Sequence, residues 1–276
     1  MRIKLPLLAA IVFGLLGQRA LAAEPEILLA TTTSVQDSGL LDVLLPELTR
    51  ETGVKVRVIA VGSGAALRMG ADGNADLVLS HAPAAEEELL KTHVFLARFP
   101  CMENYFLIAG PAADPAKVRD AKDGADAFRR IATAKAPYVS RGDDSGTHKR
   151  EQELLKAAGL EPKPAWPGAV STGAGMGQTL LVAGEKQAYT LSDIGTFLAF
   201  QKRTGLERLT KAADDLHNVY SLLPVNPEKF PGKIHAKEAN IVVEWILRPT
   251  TSRKIAEFGR EKYGEPLFRP LNLDSE

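Results

Sequence analysis

The stretch Ser140 to Thr147, with the sequence SRGDDSGT, joins a strand predicted over Pro137 to Val139 to a helix predicted to begin at its end. The first N–H groups of a helix lack acceptors within the helix, and the positive end of the helix dipole lies beside them, so such a junction favours an anion. Ser145 and Thr147 add hydroxyl donors, and Arg141 adds a planar set of N–H donors that matches a tetrahedral oxyanion. Taken alone, the stretch fits an ordinary capped helix start about as well.

Two further loops that open helices carry the same kind of donors. Thr31 to Ser34 follows the buried strand predicted over Glu26 to Ala30, and Gly62 to Gly64 follows the alternating strand predicted over Lys55 to Val61. Strand, loop and helix repeat once more from the strand predicted over Asp76 to Leu79. This order predicts an α/β fold in which the loops gather at the carboxyl ends of parallel strands, where ligands bind. The recurrence of donors favours an anion site over unrelated helix caps.

The donor loops belong to two separate α/β halves of the chain. The sequence predicts that residues 23–105 plus 219–276 form one lobe and that residues 106–218 form a second, inserted lobe. The hinge is expected near residues 105 and 219. A cleft that closes between two lobes on one small anion explains why the donors are divided in this way. About 250 residues suffice for two lobes, each with its own core.

The N-terminal residues 1–22 predict a cleaved signal peptide. Arg2 and Lys4 precede an apolar run, Leu5 to Leu16, which is too short to span a membrane, and a small-x-small cleavage site ends at Ala22. The mature protein is therefore expected in the periplasm, without a membrane span. The single cysteine of the chain forms no internal disulfide, which excludes a disulfide-stapled extracellular domain.

The charge balance argues against nucleic acid as a partner. The whole chain has 34 basic and 34 acidic residues. Cleavage after residue 22 removes three of the basic ones and leaves 31 against 34, a net charge of −3. A mature chain with this balance carries no basic patch of the kind that binds nucleic acid.

These donor loops together resemble the tungstate-binding proteins of Tup-type ABC importers, and the resemblance spans essentially the whole mature chain. The matching stretches are Ala30 to Ser34, Asp37 to Leu41, Val61 to Gly64, Ser140 to Thr147, Gly175 to Leu180 and Tyr189 to Asp193. The resemblance implies a two-lobed periplasmic binding protein fold, type II-like, in which each lobe is a mixed, mostly parallel sheet flanked by helices. It also implies that hydrogen bonds hold a dehydrated oxyanion, with no cofactor and no metal coordinated directly by protein side chains.

Carried over residue by residue, the resemblance implies a specific binding set. The expected oxyanion contacts are Thr33, Ser34, Ser63, Arg141, Ser145, Gly146 and Thr147. The implied partners are tungstate, an inner-membrane ABC permease and its cytoplasmic ATPase, and the binding protein itself is expected to be a monomer. In one departure, the family pattern has an arginine between Asp193 and Gly195 where this chain has Ile194. A charge contribution from that helix start is therefore in doubt.

Periplasmic phosphate-binding proteins are the nearest alternative, because they share the Gly-Ser-Gly turn and the Arg-x-x-x-Ser-Gly-Thr loop. Phosphate carries a proton at neutral pH, and those proteins accept that proton with an aspartate in a Ser-Asp-Ala-Pro stretch. Here the matching stretch is Ser80 to Pro83, and His81 replaces the aspartate. The missing carboxylate favours a fully deprotonated dianion, either tungstate or molybdate, while His81 itself is interpreted as a structural residue. A periplasmic anion sensor on the same fold stays open as a further alternative.

An enzyme is disfavoured by the context of the same residues. Ser145 lacks the Gly-x-Ser-x-Gly sequence of a nucleophile elbow. A couple of Ser145 with His148 is possible in principle, but it would need an oriented acid to complete a triad. His148 and Glu151 have the spacing of two metal ligands, but no second histidine completes a zinc motif. The sequence therefore predicts a binding protein rather than a catalyst.

Overall fold

The computed structural model describes residues 26–272, and the predicted signal peptide, residues 1–22, lies outside them. The strands are β1 (Glu26–Thr32), β2 (Lys55–Val61), β3 (Leu77–Ser80), β4 (Phe99–Gly110), β5 (Tyr138–Ser140), β6 (Ala169–Ser171), β7 (Thr190–Asp193), β8 (Glu207–Arg208), β9 (His217–Pro224) and β10 (Arg269–Pro270). The helices are α1 (Thr33–Ser38), α2 (Leu40–Thr52), α3 (Ser63–Ala71), α4 (Pro83–Leu90), α5 (Gly124–Thr133), α6 (Gly146–Ala157), α7 (Met176–Lys186), α8 (Ile194–Thr204), α9 (Ala236–Leu247), α10 (Pro249–Glu257) and α11 (Arg260–Tyr263).

The first sheet has the strand order β10-β4-β9-β3-β1-β2. β1 pairs in parallel with β2 and β3, whereas β3 with β9, β9 with β4 and β4 with β10 are antiparallel. Apolar side chains of α2, α9 and α10 cover one face, including Leu44 and Trp245. Side chains of α3 and the segment after α4, including Leu67 and Phe95, cover the other. The sheet is thus buried on both faces, as continuous apolar strands require.

The second sheet is built on the other end of β4. β7 and β8 pair with β4 antiparallel, and a bridge between Tyr138 and Tyr189 joins β5 and its parallel partner β6 to this group. One core contains Phe128 of α5 and Leu155 of α6. Another, with Leu180 of α7 and Phe197 of α8, packs on the opposite face. Each sheet therefore has its own pair of apolar layers.

β4 changes its partner at one point along its length. Tyr105 pairs with His217 of β9 in the first sheet, and Phe106 pairs with Asp193 of β7 in the second. β9 begins at His217 and returns the chain to the first sheet. The two crossings lie close to the predicted boundaries at 105 and 219, and a hinge at these positions stays a prediction. Within residues 26–272, no helix combines the length and the apolar character that a membrane span needs.

Some element boundaries differ from the sequence prediction. The stretch Asp37 to Leu41 contains the end of one helix and the start of the next, since Gly39 adopts φ of 80° and ends α1. α1 begins at Thr33 and α3 begins at Ser63, so both hydroxyls lie in a first helical turn rather than in the preceding loop. The sheets are mixed, as expected. Their antiparallel share is larger than expected because the crossing strands β4 and β9 run against their neighbours.

Candidate functional site

Arg141 lies between β5 and α6 and is almost completely buried, with 3% of its surface exposed. One terminal nitrogen, Nη2, pairs with Asp143, and the other, Nη1, donates to Thr147 Oγ1 at 3.4 Å. Its Nε is buried and has no hydrogen-bond partner among residues 26–272. A buried donor without an acceptor is costly, so this N–H is free to donate to an acceptor that the described residues do not supply.

The N-terminus of α6 lies beside this guanidinium. Ser145 is the N-cap: its Oγ accepts a hydrogen bond from the His148 N–H at 3.2 Å, and its own N–H donates to Asp143 at 3.2 Å. Helix geometry leaves the N–H groups of Gly146 and Thr147 without acceptors inside the helix. The hydroxyl proton of Ser145 stays available for donation, because the cap uses only a lone pair.

The loop that carries Arg141 is held by the segment after β6. Gly173 donates to the Arg141 carbonyl at 2.8 Å, and Thr172 donates to the Ser140 carbonyl at 3.0 Å. Gly142 has φ of 60°, and a Cβ there would lie 1.8 Å from Ser171 Oγ. The positive φ and the close approach of the Ser171 side chain both favour glycine at this position.

Ser63 faces the same helix start from the first sheet. It is the first residue of α3 and is fully buried, and its Oγ has no hydrogen-bond partner within the described chain. A Cβ built on Gly146 would lie 2.8 Å from Ser63 Oγ and 2.4 Å from His81 Cε1. A Cβ on Gly62 would lie 3.4 Å from Ser145 Cα. The loop before α3 and the start of α6 therefore meet face to face, and they bring together donors from both halves of the chain.

Ser34 lies in the first turn of α1 and is also buried. Its Oγ is 3.1 Å from Thr32 Oγ1 and 3.5 Å from the hydroxyl oxygen of Tyr220. Thr33, the first residue of the helix, is half-buried beside it. Unlike Ser63, Ser34 already has hydroxyl partners. Either oxygen of each pair can be the donor, so Ser34 keeps its own proton for an anion when it accepts from both partners.

His81 lies next to these buried donors, although the sequence analysis interpreted it as a structural residue. Its ring is buried, and its Nδ1 is 2.7 Å from Asn218 Oδ1. Asn218 Nδ2 in turn donates to Asn104 Oδ1 at 2.7 Å and to the Tyr220 hydroxyl at 3.0 Å. Burial lowers the pKa of His81 to about 4, and the nearby Arg141 adds to the lowering, so the ring is neutral at pH 7.

The start of α8 supplies no cation. The Asp193 carboxylate caps this helix and accepts from the N–H and the hydroxyl of Thr196, at 2.9 and 2.8 Å. Burial raises the pKa of Asp193, which its bonds to Thr196 and the nearby Arg141 partly offset. Ile194, where the family pattern has an arginine, is buried among apolar neighbours. The doubt about a charge contribution from this helix is therefore justified.

A cavity of about 340 Å³ lies beside His81 and Gly146. Lys149, Arg150 and Lys156 of α6 line it together with one carboxylate, Glu153, so the cavity has an excess of positive charge. A larger cavity of about 620 Å³ lies around β4 and the C-terminal segment, and its lining contains none of the predicted anion contacts. Of the predicted contacts, Gly146 lines the smaller cavity.

The donor set suits an oxyanion. Hydroxyls, helix N–H groups and one guanidinium come together, which is the composition that binds a desolvated anion through charge-assisted hydrogen bonds. Within residues 26–272, no group of three or more His, Cys, Asp or Glu side chains is arranged to hold a metal ion. The donors are therefore suited to hold an oxyanion through hydrogen bonds.

Known proteins share this chain's sequence and fold. A family model described as a PBP superfamily domain matches residues 19–250. The chain is 46% identical over 250 residues to the tungstate-binding protein TupA of Peptoclostridium acidaminophilum, covering 90% of this chain and 86% of that protein. It is 40% identical to a solved tungstate-binding protein, TupA from Desulfovibrio alaskensis G20, with a TM-score of 0.78 over 91% of this chain and 100% of that one. A tungstate ABC transporter structure from Geobacter sulfurreducens is also 40% identical, with a TM-score of 0.77 and coverage of 86% and 100%. These similarities confirm the predicted fold class.

Proposed function

The chain belongs to the tungstate-binding proteins of the PBP superfamily, and on that basis we propose that it captures tungstate and delivers it to an ABC importer. The family consists of substrate-binding proteins of transporters and not of enzymes, in agreement with the sequence prediction. Tungstate is the cargo, and no cofactor is needed to hold it.

Two buried donors without partners carry this proposal. Ser63 Oγ belongs to the first half of the chain and Arg141 Nε to the second, and both lack an acceptor within residues 26–272. Leaving buried donors unpaired costs about 1–3 kcal/mol each. One tetrahedral dianion between them would satisfy both and would also accept from the N–H groups at the start of α6. The donors then stabilise the bound ion without any metal–ligand bond from the protein.

The binding set that we propose spans both lobes. It consists of Thr33, Ser34, Ser63, Arg141, Ser145, Gly146 and Thr147. The hinge lies near residues 105 and 219, which is supported by the change of partner along β4 at Tyr105 and Phe106. Because the ion contacts both lobes, it stabilises the closed form, and the permease with its ATPase receives that form. The protein acts as a periplasmic monomer after removal of residues 1–22.

Position 81 is compatible with a fully deprotonated dianion. A carboxylate there would repel a dianion strongly in a desolvated site, whereas the neutral His81 ring carries no charge. The described donors do not separate tungstate from molybdate, which has the same shape and charge, and we expect molybdate to bind as well.

Isothermal titration calorimetry of the mature protein with tungstate, molybdate, phosphate and sulfate tests this function. We expect tungstate and molybdate to bind far more tightly than the other two anions, with one ion per chain. Phosphate binding as tight as tungstate binding would make the protein a phosphate carrier. Absence of binding for all four anions would show that the donors face some other ligand.

A further inference from the structure

The ring of His81 has one nitrogen that the surrounding protein network does not use. The Oδ1 atom of Asn218 lies 2.7 Å from His81 Nδ1, while Asn218 Nδ2 donates to Asn104 and Tyr220. Since Oδ1 can only accept, Nδ1 of the ring must carry a hydrogen and donate it. The neutral tautomer is therefore fixed, and Nε2 is left with a lone pair.

Nε2 points at the start of α6. It lies 2.7 Å from the position that a Cβ on Gly146 would take, and Ser63 Oγ lies 2.8 Å from the same point. The free nitrogen and the unpartnered hydroxyl thus flank the same helix start where the N–H groups of Gly146 and Thr147 have no helical acceptor. An anion held by these N–H groups and by Ser63 has His81 Nε2 in its immediate surroundings.

The charges around the site do not balance a dianion. Arg141 is paired with Asp143, and Arg150 with Glu153 at 3.0 Å. Lys149 and Arg68 both lie 3.9 Å from Asp144. These four cations face three carboxylates, so one positive charge is left over, which is less than the two negative charges of a bound dianion.

The other groups around the ring are neutral or paired. From β4 and β9 the ring meets Phe106 and Tyr220, with ring centroids 6.1 and 4.9 Å away, and burial keeps the pKa of Tyr220 well above its ordinary value. From α4, Glu86 accepts the Ala82 N–H at 2.9 Å and is paired with Arg98 at 2.7 Å. The cations that face His81 are Arg141 and Arg150, which oppose protonation of the ring until an anion arrives.

We propose that His81 Nε2 takes up one proton from solvent when the dianion binds and donates it in a hydrogen bond to an oxygen of the ion. The proposal rests on the proposed function and concerns how the same site adjusts its charge. A lone pair that faces an anionic oxygen is repulsive, whereas an imidazolium N–H in the same place forms a charge-assisted bond and supplies a positive charge without a paired carboxylate. His81 is thus a specificity residue that a carboxylate cannot replace.

Proton uptake makes affinity depend on pH in one direction. The pKa of His81 is about 4 in the free protein, and the bound dianion raises it. Affinity is therefore greatest below the free value, falls by up to tenfold per pH unit between the free and the bound value, and is constant above the bound value. We expect the fall to be measurable between pH 6 and 8.

The experiment is calorimetric titration of sodium tungstate into the mature protein, at constant pH, in buffers with different heats of ionisation. We expect uptake of close to one proton per ion at pH 7 in the wild type. In His81→Asn the amide nitrogen still donates to Asn218, but Nε2 is lost, and we expect the uptake and the pH slope to disappear while weaker binding remains. His148→Asn is the matched control, because His148 lies in the first turn of α6 and its pKa is also lowered, first by burial. It should retain the uptake.

Nitrogen NMR of histidine in the wild-type protein provides a test that needs no folded variant. The His81 ring should change from the Nδ1–H tautomer to the doubly protonated form when tungstate is added at pH 7. Tungstate binding with no proton uptake, or uptake that His81→Asn retains and His148→Asn loses, would overturn the inference and leave the proposed function intact. Failure of the wild type to bind tungstate at all would instead overturn the proposed function.

Discussion

Gly146 and Ser63 belong to helix starts in different halves of the chain, yet a Cβ on Gly146 would lie only 2.8 Å from Ser63 Oγ. That distance is shorter than any ordinary contact of a Cβ, so the two helix starts meet as closely as they do only because residue 146 has no side chain.

Gly146→Ala should therefore weaken tungstate binding. The added methyl would collide with His81 as well as with Ser63, and overpacking of this kind costs about 1–3 kcal/mol, or roughly five- to hundredfold in affinity. Gly175→Ala is the control, because a Cβ there meets no atom within 4 Å and the residue has φ of −62°. Calorimetry of both variants decides the point: equal affinities would mean that the two helix starts do not approach each other in the bound protein.

Arg141→Lys should weaken tungstate binding although it keeps the positive charge. The ammonium group cannot pair with Asp143 and also present a second donor in the position of Nε. Loss of one charge-assisted hydrogen bond is worth about 1.5–3 kcal/mol, or roughly ten- to hundredfold.

The matched control for this change is Arg68→Lys. Arg68 lies 3.9 Å from Asp144, and 67% of its side chain is exposed, so its replacement should leave affinity nearly unchanged. If Arg141→Ala also binds tungstate like the wild type, Arg141 is a structural residue of the loop and the site has been misplaced.

Glu151 should make the stability of the ligand-free protein depend on pH. Burial raises its pKa to about 7 although Ser140 and Tyr138 both donate to its carboxylate, at 2.6 and 2.8 Å. In the unfolded chain its pKa is 4.5. Because the folded value is higher, the stabilisation is complete below pH 4.5 and is lost as the pH rises to about 7. The loss amounts to about 3 kcal/mol, since one pKa unit corresponds to about 1.4 kcal/mol.

Glu151→Gln removes this titration. Urea unfolding at several pH values should show that the difference in unfolding free energy between the wild type and Glu151→Gln changes by about 3 kcal/mol between pH 4.5 and 7. Glu153→Gln, on the exposed side of the same helix, should show no such change. A difference that stays constant with pH would mean that the buried carboxyl keeps an ordinary pKa.

The donor loops were predictable from the sequence because strand, loop and helix follow each other within a few residues. Arg141, Ser145 and Thr147 lie together through local geometry alone. The role of His81 was not predictable in this way, since its contact with Gly146 depends on how two distant parts of the chain pack. The one sequence signal was its position in the Ser-x-Ala-Pro stretch, where phosphate-binding proteins place a carboxylate.

The burial of Glu151 and the full length of β4 also depend on contacts between distant parts of the chain, so the sequence alone does not predict them. On a helix rich in charged residues, Glu151 looks like a surface residue, and only the approach of Tyr138 and Ser140 from β5 buries it. In β4 the apolar run begins only at Tyr105, and the residues before it mix polar and apolar types without a clear period. Pairing with β9 extends the strand back to Phe99 and provides one of the two crossings between the sheets.

Tungstate should pull the two lobes together. Ser63 belongs to the predicted first lobe and Thr147 to the predicted second lobe, so one small ion that contacts both must reduce the distance between them or hold them closed. Small-angle X-ray scattering should show a smaller radius of gyration with tungstate, and the melting temperature should rise with its concentration.

Ser63→Ala and Thr147→Val should each lower affinity roughly ten- to hundredfold, because a desolvated dianion loses a charge-assisted hydrogen bond in either case. If the radius of gyration is the same with and without tungstate and one of these variants binds like the wild type, the ion is held within a single lobe.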